Sequence, residues 1–163
     1  MFYYLSLGSN IDPQKNIGRC VEILLDKFDA LYIYPPVYTE PEGLDTDNMF
    51  INTLIVLKSS IHKATFKSIL NKIEESLGRD KKKSNQSFIG HTCDIDIISN
   101  KVKFDLGVFH NLQESYLRSV LYSKNLAKQV QVYNLRCIDR PSTIYFDRGS
   151  SNKAIFGNKF DTL

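Results

Sequence analysis

The feature that most constrains the fold of this chain is the order of its apolar segments. Four segments rich in aliphatic, aromatic and β-branched residues indicate strands, and two with apolar residues at helical spacing indicate amphipathic helices. In chain order these are a strand at 2–7, a helix at 13–28, a strand at about 30–37, a strand at 49–57, a helix at 63–77 and a strand at 92–98. This order predicts an α+β, ferredoxin-like β-α-β-β-α-β sandwich, with both helices packed on an antiparallel sheet.

The ends of these elements carry recognisable signals. Gly-Ser-Asn at 8–10 indicates a turn after the first strand, and Pro-Pro at 35–36 ends the second. Asp12 is the expected N-cap of the first helix, with Pro13 at its first position. Gly78 is expected to end the second helix. The segment 49–57 is apolar on both faces, which predicts a central strand.

We expect a single domain over 1–163, because a chain of this length can bury roughly two-thirds of its unfolded surface. Its core would span about 1–122, and 123–163 would form a divergent C-terminal extension. Within 112–133 we predict one or two helices, and from 141 onward an irregular segment. The apolar anchors of those helices would be Leu112, Tyr116, Val120 and Leu121.

Composition excludes several classes of protein. The net charge of +3 is too small to indicate general nucleic-acid binding, and no apolar run approaches the ~20 residues of a membrane span. Cys20, Cys93 and Cys137 lie far apart without a CxxC pair, which favours free thiols in a reducing, cytoplasmic compartment. We therefore expect neither a nucleic-acid partner nor a membrane partner.

Two carboxylates, Asp94 and Asp96, lie two residues apart in an otherwise apolar run. Alternate strand side chains share a face, so both acids would project one way while Ile95 and Ile97 project the other. Carboxylates this close repel each other unless a cation lies between them, and Mg²⁺ with phosphate oxygens is a suitable one. A solvated edge strand is the alternative, and these residues alone leave both open.

Basic residues cluster just before the acid pair. Arg79, Lys81, Lys82 and Lys83 fall within five positions and follow Glu74. Cations beside a metal-binding acid pair are what polyphosphate binding requires. The alternatives are a solvated loop for the lysines and, for Arg79, a contact to the last carbonyls of the preceding helix.

Phe50 and Asn52 share one face of the predicted central strand. An aromatic ring beside a carboxamide can stack on a flat heterocycle and bond its edge. The alternative is a core phenylalanine and an asparagine that bonds a neighbouring loop.

Together, five motifs resemble the 6-hydroxymethyl-7,8-dihydropterin pyrophosphokinase family. They are YLSLGSNI at 4–11, VYTEPEG at 37–43, FIN at 50–52, IEESLGR at 73–79 and TCDIDI at 92–97. Their order and intervals fit the family over about 2–100. The family's ferredoxin-like fold agrees with the predicted order of strands and helices.

The resemblance implies an enzyme of folate biosynthesis that transfers pyrophosphate from ATP to the hydroxymethyl group of the pterin, releasing AMP. It implies ATP as co-substrate and two Mg²⁺ ions, and we expect a cytoplasmic monomer. The metal ligands would be Asp94 and Asp96. The catalytic residues would be Asp94, Asp96, Arg79 and Lys81. The ATP-binding residues would be Glu74, Asn71, Arg79, Lys81, His91 and His110. The pterin-binding residues would be Thr39, Phe50, Asn52, Asp94 and Tyr116, with the two rings forming an aromatic sandwich.

This chain departs from the family at the phosphate side. His91 stands where the family usually has arginine, and Lys81 stands where arginine is common. The arginine expected two residues before Tyr116 is not evident, and Arg118 is displaced from that position. A lost charge-assisted contact to a buried phosphate costs about 1.5–3 kcal/mol. A diverged paralogue that binds pterin or nucleotide but transfers poorly is therefore an alternative. A ferredoxin-like RNA-binding module is a third hypothesis, which the modest net charge disfavours.

Overall fold

The computed structural model describes residues 1–28, 30–43, 46–79, 92–127, 130–132, 135–136 and 154–157 of the chain. In chain order its elements are β1 (Phe2–Ser9), α1 (Pro13–Phe28), β2 (Ala30–Ile33), β3 (Val37–Thr39), β4 (Phe50–Lys58), α2 (Lys63–Ser76), β5 (Asp94–Lys101), a 3-10 helix (Leu106–Asn111), α3 (Ser115–Tyr122), β6 (Gln131–Val132), β7 (Leu135–Arg136) and β8 (Ala154–Gly157).

The main sheet confirms the predicted α+β, ferredoxin-like fold. Among the described residues it has six strands in the order β5-β1-β4-β2-β8, with β3 also paired to β4. The pairs formed by β1, β3, β4 and β5 are antiparallel, as is β2 with β4, whereas β8 joins β2 in parallel. The predicted central strand, β4, lies between β1 and β2.

The helix boundaries follow the sequence signals. Helix α1 begins at Pro13, and the Asp12 carbonyl accepts a hydrogen bond of 3.0 Å from the Asn16 N–H. Helix α2 ends just before Gly78, whose φ of 94° lies in the left-handed region that glycine adopts without strain. Both predicted helices are therefore confirmed.

Several predicted strand limits were wrong. Strand β1 continues through Gly8 to Ser9, because Gly8 pairs with strands on both sides. Strand β2 stops at Ile33 and β3 is separate, since the prolines at 35–36 have no N–H to donate to a ladder. Strand β5 runs from 94 to 101 rather than from 92 to 98.

The second half of the chain also differs from the prediction. Of the one or two helices expected within 112–133, the described residues contain one α-helix, at Ser115–Tyr122. The short strands β6 and β7 pair near the end of that range. The irregular segment predicted beyond 141 contains strand β8 at Ala154–Gly157, which pairs with β2. The division into a core and an extension stays a prediction.

The sheet separates two cores. Alternation along β1 sends Tyr3, Leu5 and Leu7 toward α1 and α2, while Tyr4 faces the layer formed by the 3-10 helix and α3. Tyr3 stacks on Phe66 of α2 with ring centroids 3.9 Å apart. Within the described ranges, no helix combines the length and apolar character needed to cross a membrane.

Replacing Phe66 by alanine should destabilise the fold strongly. The ring is fully buried and contacts Tyr3 and Phe28, so its loss leaves a cavity between α2 and the sheet. We expect the free energy of unfolding to fall by about 3–5 kcal/mol, measured by urea denaturation. Phe104→Ala, at a ring that is 46% exposed, is the control and should cost much less. Equal losses in the two variants would contradict this account of the core.

Candidate active site

The register of three strands gathers the predicted residues on one wall. Gly8 of β1 pairs with Asn52 of β4 on one side and with Asp94 of β5 on the other. Ser6, two residues earlier, pairs with Asp96. Because paired residues project to the same face of a sheet, these side chains lie side by side.

This wall borders a cleft with about 690 Å³ of empty space, part of it open to solvent. Its lining residues are Ser6, Gly8, Thr39, Glu40, Glu42, Phe50, Asn52, Asp94, Asp96, Tyr116 and Leu117. All five residues expected to bind the pterin line it, as do both expected metal ligands.

The orientation of Asn52 is set by two neighbours. Its Nδ2 donates a hydrogen bond of 2.7 Å to Thr39 Oγ1, and both side chains are buried. Its Oδ1 lies against Gly8, where an added Cβ would approach to 2.5 Å. An alanine at position 8 would therefore force the Asn52 carboxamide to shift, so glycine here serves this close approach rather than a turn.

Each carboxylate of the acid pair contacts a cation. Arg79 Nη1 donates to Asp94 Oδ1, and Lys67 Nζ lies 3.0 Å from Asp96 Oδ1. The Asp94 side chain is 36% exposed and that of Asp96 is 64% exposed. Both acids thus remain open to the cleft while their charge is partly compensated by the protein.

Glu74 is fully buried, and its expected contact with ATP stays a prediction. Its Oε1 accepts a hydrogen bond of 2.8 Å from the Ile95 N–H and forms an ion pair of 3.0 Å with Arg79. These contacts fix the backbone between the two aspartates and hold the guanidinium that meets Asp94.

The way in which α2 ends places Arg79 beside Glu74 and Asp94. The Arg79 N–H bonds the Glu74 carbonyl at 3.1 Å, and the Gly78 N–H bonds the Glu75 carbonyl at 3.0 Å. This pair of bonds is the Schellman motif, with Gly78 in the left-handed conformation. The chain therefore turns back immediately, and the Arg79 side chain lies beside Glu74. The contact to the last helix carbonyls that we considered for Arg79 is made by its backbone N–H. Its side chain instead forms ion pairs with Glu74 and Asp94.

The cleft is rich in negative charge, since Glu40, Glu42, Asp94 and Asp96 all line it. Burial raises the pKa of Tyr116, and nearby carboxylates, including both aspartates, raise it further. Burial alone would lower the pKa of Arg79. The hydrogen bond and charge of Asp94, together with the charges of Glu74 and Asp96, outweigh burial, so the pKa is raised. A field of this sign favours bound cations.

The donor set fits Mg²⁺ better than zinc. Among the described residues, no three histidine, cysteine or acidic side chains cluster as a closed metal site would require. Two carboxylates on one face, open on the cleft side, leave coordination positions for water and phosphate oxygens, which is how proteins commonly hold Mg²⁺.

Other predicted residues lie elsewhere. Asn71 is on α2 and His110 is exposed in the 3-10 helix, and neither lines the cleft. Lys81 and His91 fall outside the described residues, as do Lys82 and Lys83. Their proposed contacts with ATP stay predictions.

Sequence reasoning missed Lys67 and a contact across the mouth of the cleft. Lys67 precedes Asn71 and Glu74 at helical spacing, so the same stripe of α2 carries all three, and this was the available signal. The second contact is a hydrogen bond from Ser115 Oγ to Glu42 Oε1, which joins the loop after β3 to the start of α3. No local pattern connects residues so distant in the chain.

Exposed carboxylates with flanking cations, beside a wall of aromatic and amide groups, are the features of a phosphotransferase site that also holds a flat ring. The chain belongs to the 7,8-dihydro-6-hydroxymethylpterin-pyrophosphokinase family, whose model matches residues 4–133. It is similar to the 2-amino-4-hydroxy-6-hydroxymethyldihydropteridine pyrophosphokinases of Porphyromonas gingivalis strains ATCC 33277 and W83. Each is 32% identical over 101 residues, which cover 61% of this chain and 69% of the relative.

Replacing Glu74 by alanine should destabilise the protein, because the buried Ile95 N–H would lose its acceptor. We expect the free energy of unfolding to fall by about 1–3 kcal/mol, measured by urea denaturation at neutral pH. Glu75→Ala removes the same charge from an exposed position of the same helix and should change stability by no more than about 0.5 kcal/mol. A Glu74 variant as stable as the Glu75 variant would show that the buried carboxylate does not hold the strand.

Proposed function

We propose that this protein transfers the pyrophosphoryl group of ATP to the hydroxymethyl oxygen of 6-hydroxymethyl-7,8-dihydropterin, releasing AMP, in folate biosynthesis. One observation carries the proposal. Strand register brings Asn52, Gly8 and Asp94 side by side at the cleft wall of a chain that belongs to this family. A pterin edge and a phosphate-binding acid pair would then meet at one point.

The pterin would occupy the aromatic end of the cleft. Phe50 and Tyr116 both line it, and we propose that their rings hold the flat heterocycle between them. Asn52, oriented by Thr39, would bond the polar edge of the ring. Asp94 lines the same cleft as these two rings, so it would adjoin the hydroxymethyl group that accepts the pyrophosphoryl group.

The phosphates would lie over the acid pair. We propose that Asp94 and Asp96 hold two Mg²⁺ ions, which when bound would neutralise the phosphates and polarise the bond that breaks. Arg79, fixed by Glu74, would contribute positive charge at the same place, and Lys81 would add to it. The protein would thereby align the acceptor oxygen with the ATP phosphorus and stabilise the charge that develops during displacement.

Location and assembly are also proposals. Cys20 and Cys93 are buried free thiols, which suits a reducing compartment, and we propose that the protein is a cytoplasmic monomer. Sedimentation of the purified protein would test the oligomeric state.

The direct test is AMP formation from ATP and 6-hydroxymethyl-7,8-dihydropterin at millimolar Mg²⁺. We expect AMP and the pterin diphosphate in equal amounts, and no AMP when Mg²⁺ is chelated. A folded protein that binds both substrates without forming AMP would instead be the diverged paralogue, and one that binds neither would exclude both hypotheses. Asp94 and Asp96 already form ion pairs with Arg79 and Lys67 of the protein itself. This observation favours testing the paralogue hypothesis beside the enzymatic one.

Replacing Asp96 by asparagine should lower kcat/KM by at least ~100-fold, because charge stabilisation by a bound metal contributes several kcal/mol and each 1.4 kcal/mol is roughly tenfold in rate. The measurement is AMP formation at saturating Mg²⁺, with the fold checked by urea denaturation. Asp105→Asn is the control: Asp105 accepts a hydrogen bond from the Gly107 N–H outside the cleft, and asparagine is an equally good cap. Full activity of the Asp96 variant would remove this residue from the metal site.

Replacing Gly8 by alanine should weaken pterin binding by about tenfold, because the new Cβ would displace the Asn52 carboxamide and lose its bonds to the ligand. The measurement is the Kd of the pterin by calorimetry. If displacement of Asn52 is the cause, the Gly8→Ala/Asn52→Ala double variant should bind no more weakly than Asn52→Ala alone. Fully additive losses would mean that Gly8 acts in some other way.

A further inference from the structure

Lys67 occupies a position that the proposed function does not use. Its Nζ donates to Asp96 Oδ1 at 3.0 Å and to the Ile95 carbonyl at 2.8 Å. Ile95 is the residue between the two aspartates, and β5 is an edge strand of the described sheet, so its outward carbonyl is accessible to a side chain from α2. One ammonium group therefore joins the backbone and the carboxylate at the centre of the acid pair.

The two cations at the acid pair are held differently. Arg79 is 24% exposed at its side chain and forms an ion pair with buried Glu74 as well as with Asp94. The Lys67 side chain is 38% exposed, and its partner carboxylate is the most open of the group at 64%. An ammonium on a flexible four-carbon stem at such a site can leave its carboxylate at small cost.

We propose that Lys67 competes with the divalent cation for Asp96, so that the site takes its metal together with a polyphosphate rather than alone. This inference rests on the proposed function, which supplies the polyphosphate. The experiment that tests it measures metal binding and requires no enzymatic activity. A carboxylate oxygen that accepts a hydrogen bond from an ammonium group must give it up before it can coordinate a metal ion. In the absence of nucleotide, that exchange opposes metal binding.

A bound triphosphate changes the balance. Lys67, once displaced from Asp96, can turn to phosphate oxygens held over the acid pair, which are strong acceptors for an ammonium group. The charge that resists a metal ion alone then contributes to binding the complex of metal and nucleotide.

The test is to measure Mn²⁺ binding in the absence of nucleotide, using electron paramagnetic resonance to quantify the free ion. Removal of the competitor in Lys67→Met should lower the Kd for Mn²⁺ about two- to fivefold, the range expected for one partly exposed ion pair. The gain should shrink as ionic strength rises. With a non-hydrolysable ATP analogue present, the variant should lose this advantage, because the lysine then assists binding.

Two further variants make the result specific. Lys72→Met removes the same charge from an exposed site of α2 outside the cleft and should leave the Kd unchanged, and Lys67→Arg should retain the wild-type value. An unchanged Kd in Lys67→Met, or an equal gain in Lys72→Met, would overturn the proposal. Because neither readout requires turnover, a protein that forms no AMP could still show the effect, and an active enzyme could lack it.

Discussion

The hydrogen bond between the Ile95 N–H and the buried Glu74 carboxylate is the constraint on which the site depends. In the sheet formed by the described residues, strand β5 lies at the edge, where its outward backbone groups have no neighbouring strand. Helix α2 supplies those partners instead: Glu74 accepts from the amide, and Lys67 donates to the carbonyl. The same side chains, together with Arg79, therefore fasten the strand and set the charge around its two acids.

The remainder of the site follows from pairing across the sheet. Gly8 of β1 lies between Asn52 of β4 and Asp94 of β5. Because Gly8 has no side chain, the carboxamide and the carboxylate face the cleft with only the backbone of β1 between them. This places ring recognition and phosphate chemistry within one cleft. The loop after β3 and the start of α3 complete its opposite side through Glu42 and Ser115.

Much of this arrangement could be predicted from the sequence. Helical spacing and capping residues located α1 and α2, and the two-residue period put Asp94 and Asp96 on one face. The features that local patterns did not predict depend on contacts between distant segments. Glu74 is buried and bonds the edge strand β5, and the close packing at Gly8 arises from Asn52 on another strand. Local patterns carry no information on either contact.

Strand β8 has a consequence for how the molecule assembles. It joins β2 in parallel, although the two segments lie near opposite ends of the described chain. During synthesis, β2 emerges from the ribosome long before 154–157 do, so its outer side stays uncovered while β1, β4 and β5 can already associate. Contacts of such long sequence separation form slowly. The order of translation thus makes docking of β8 a late event in the maturation of the sheet.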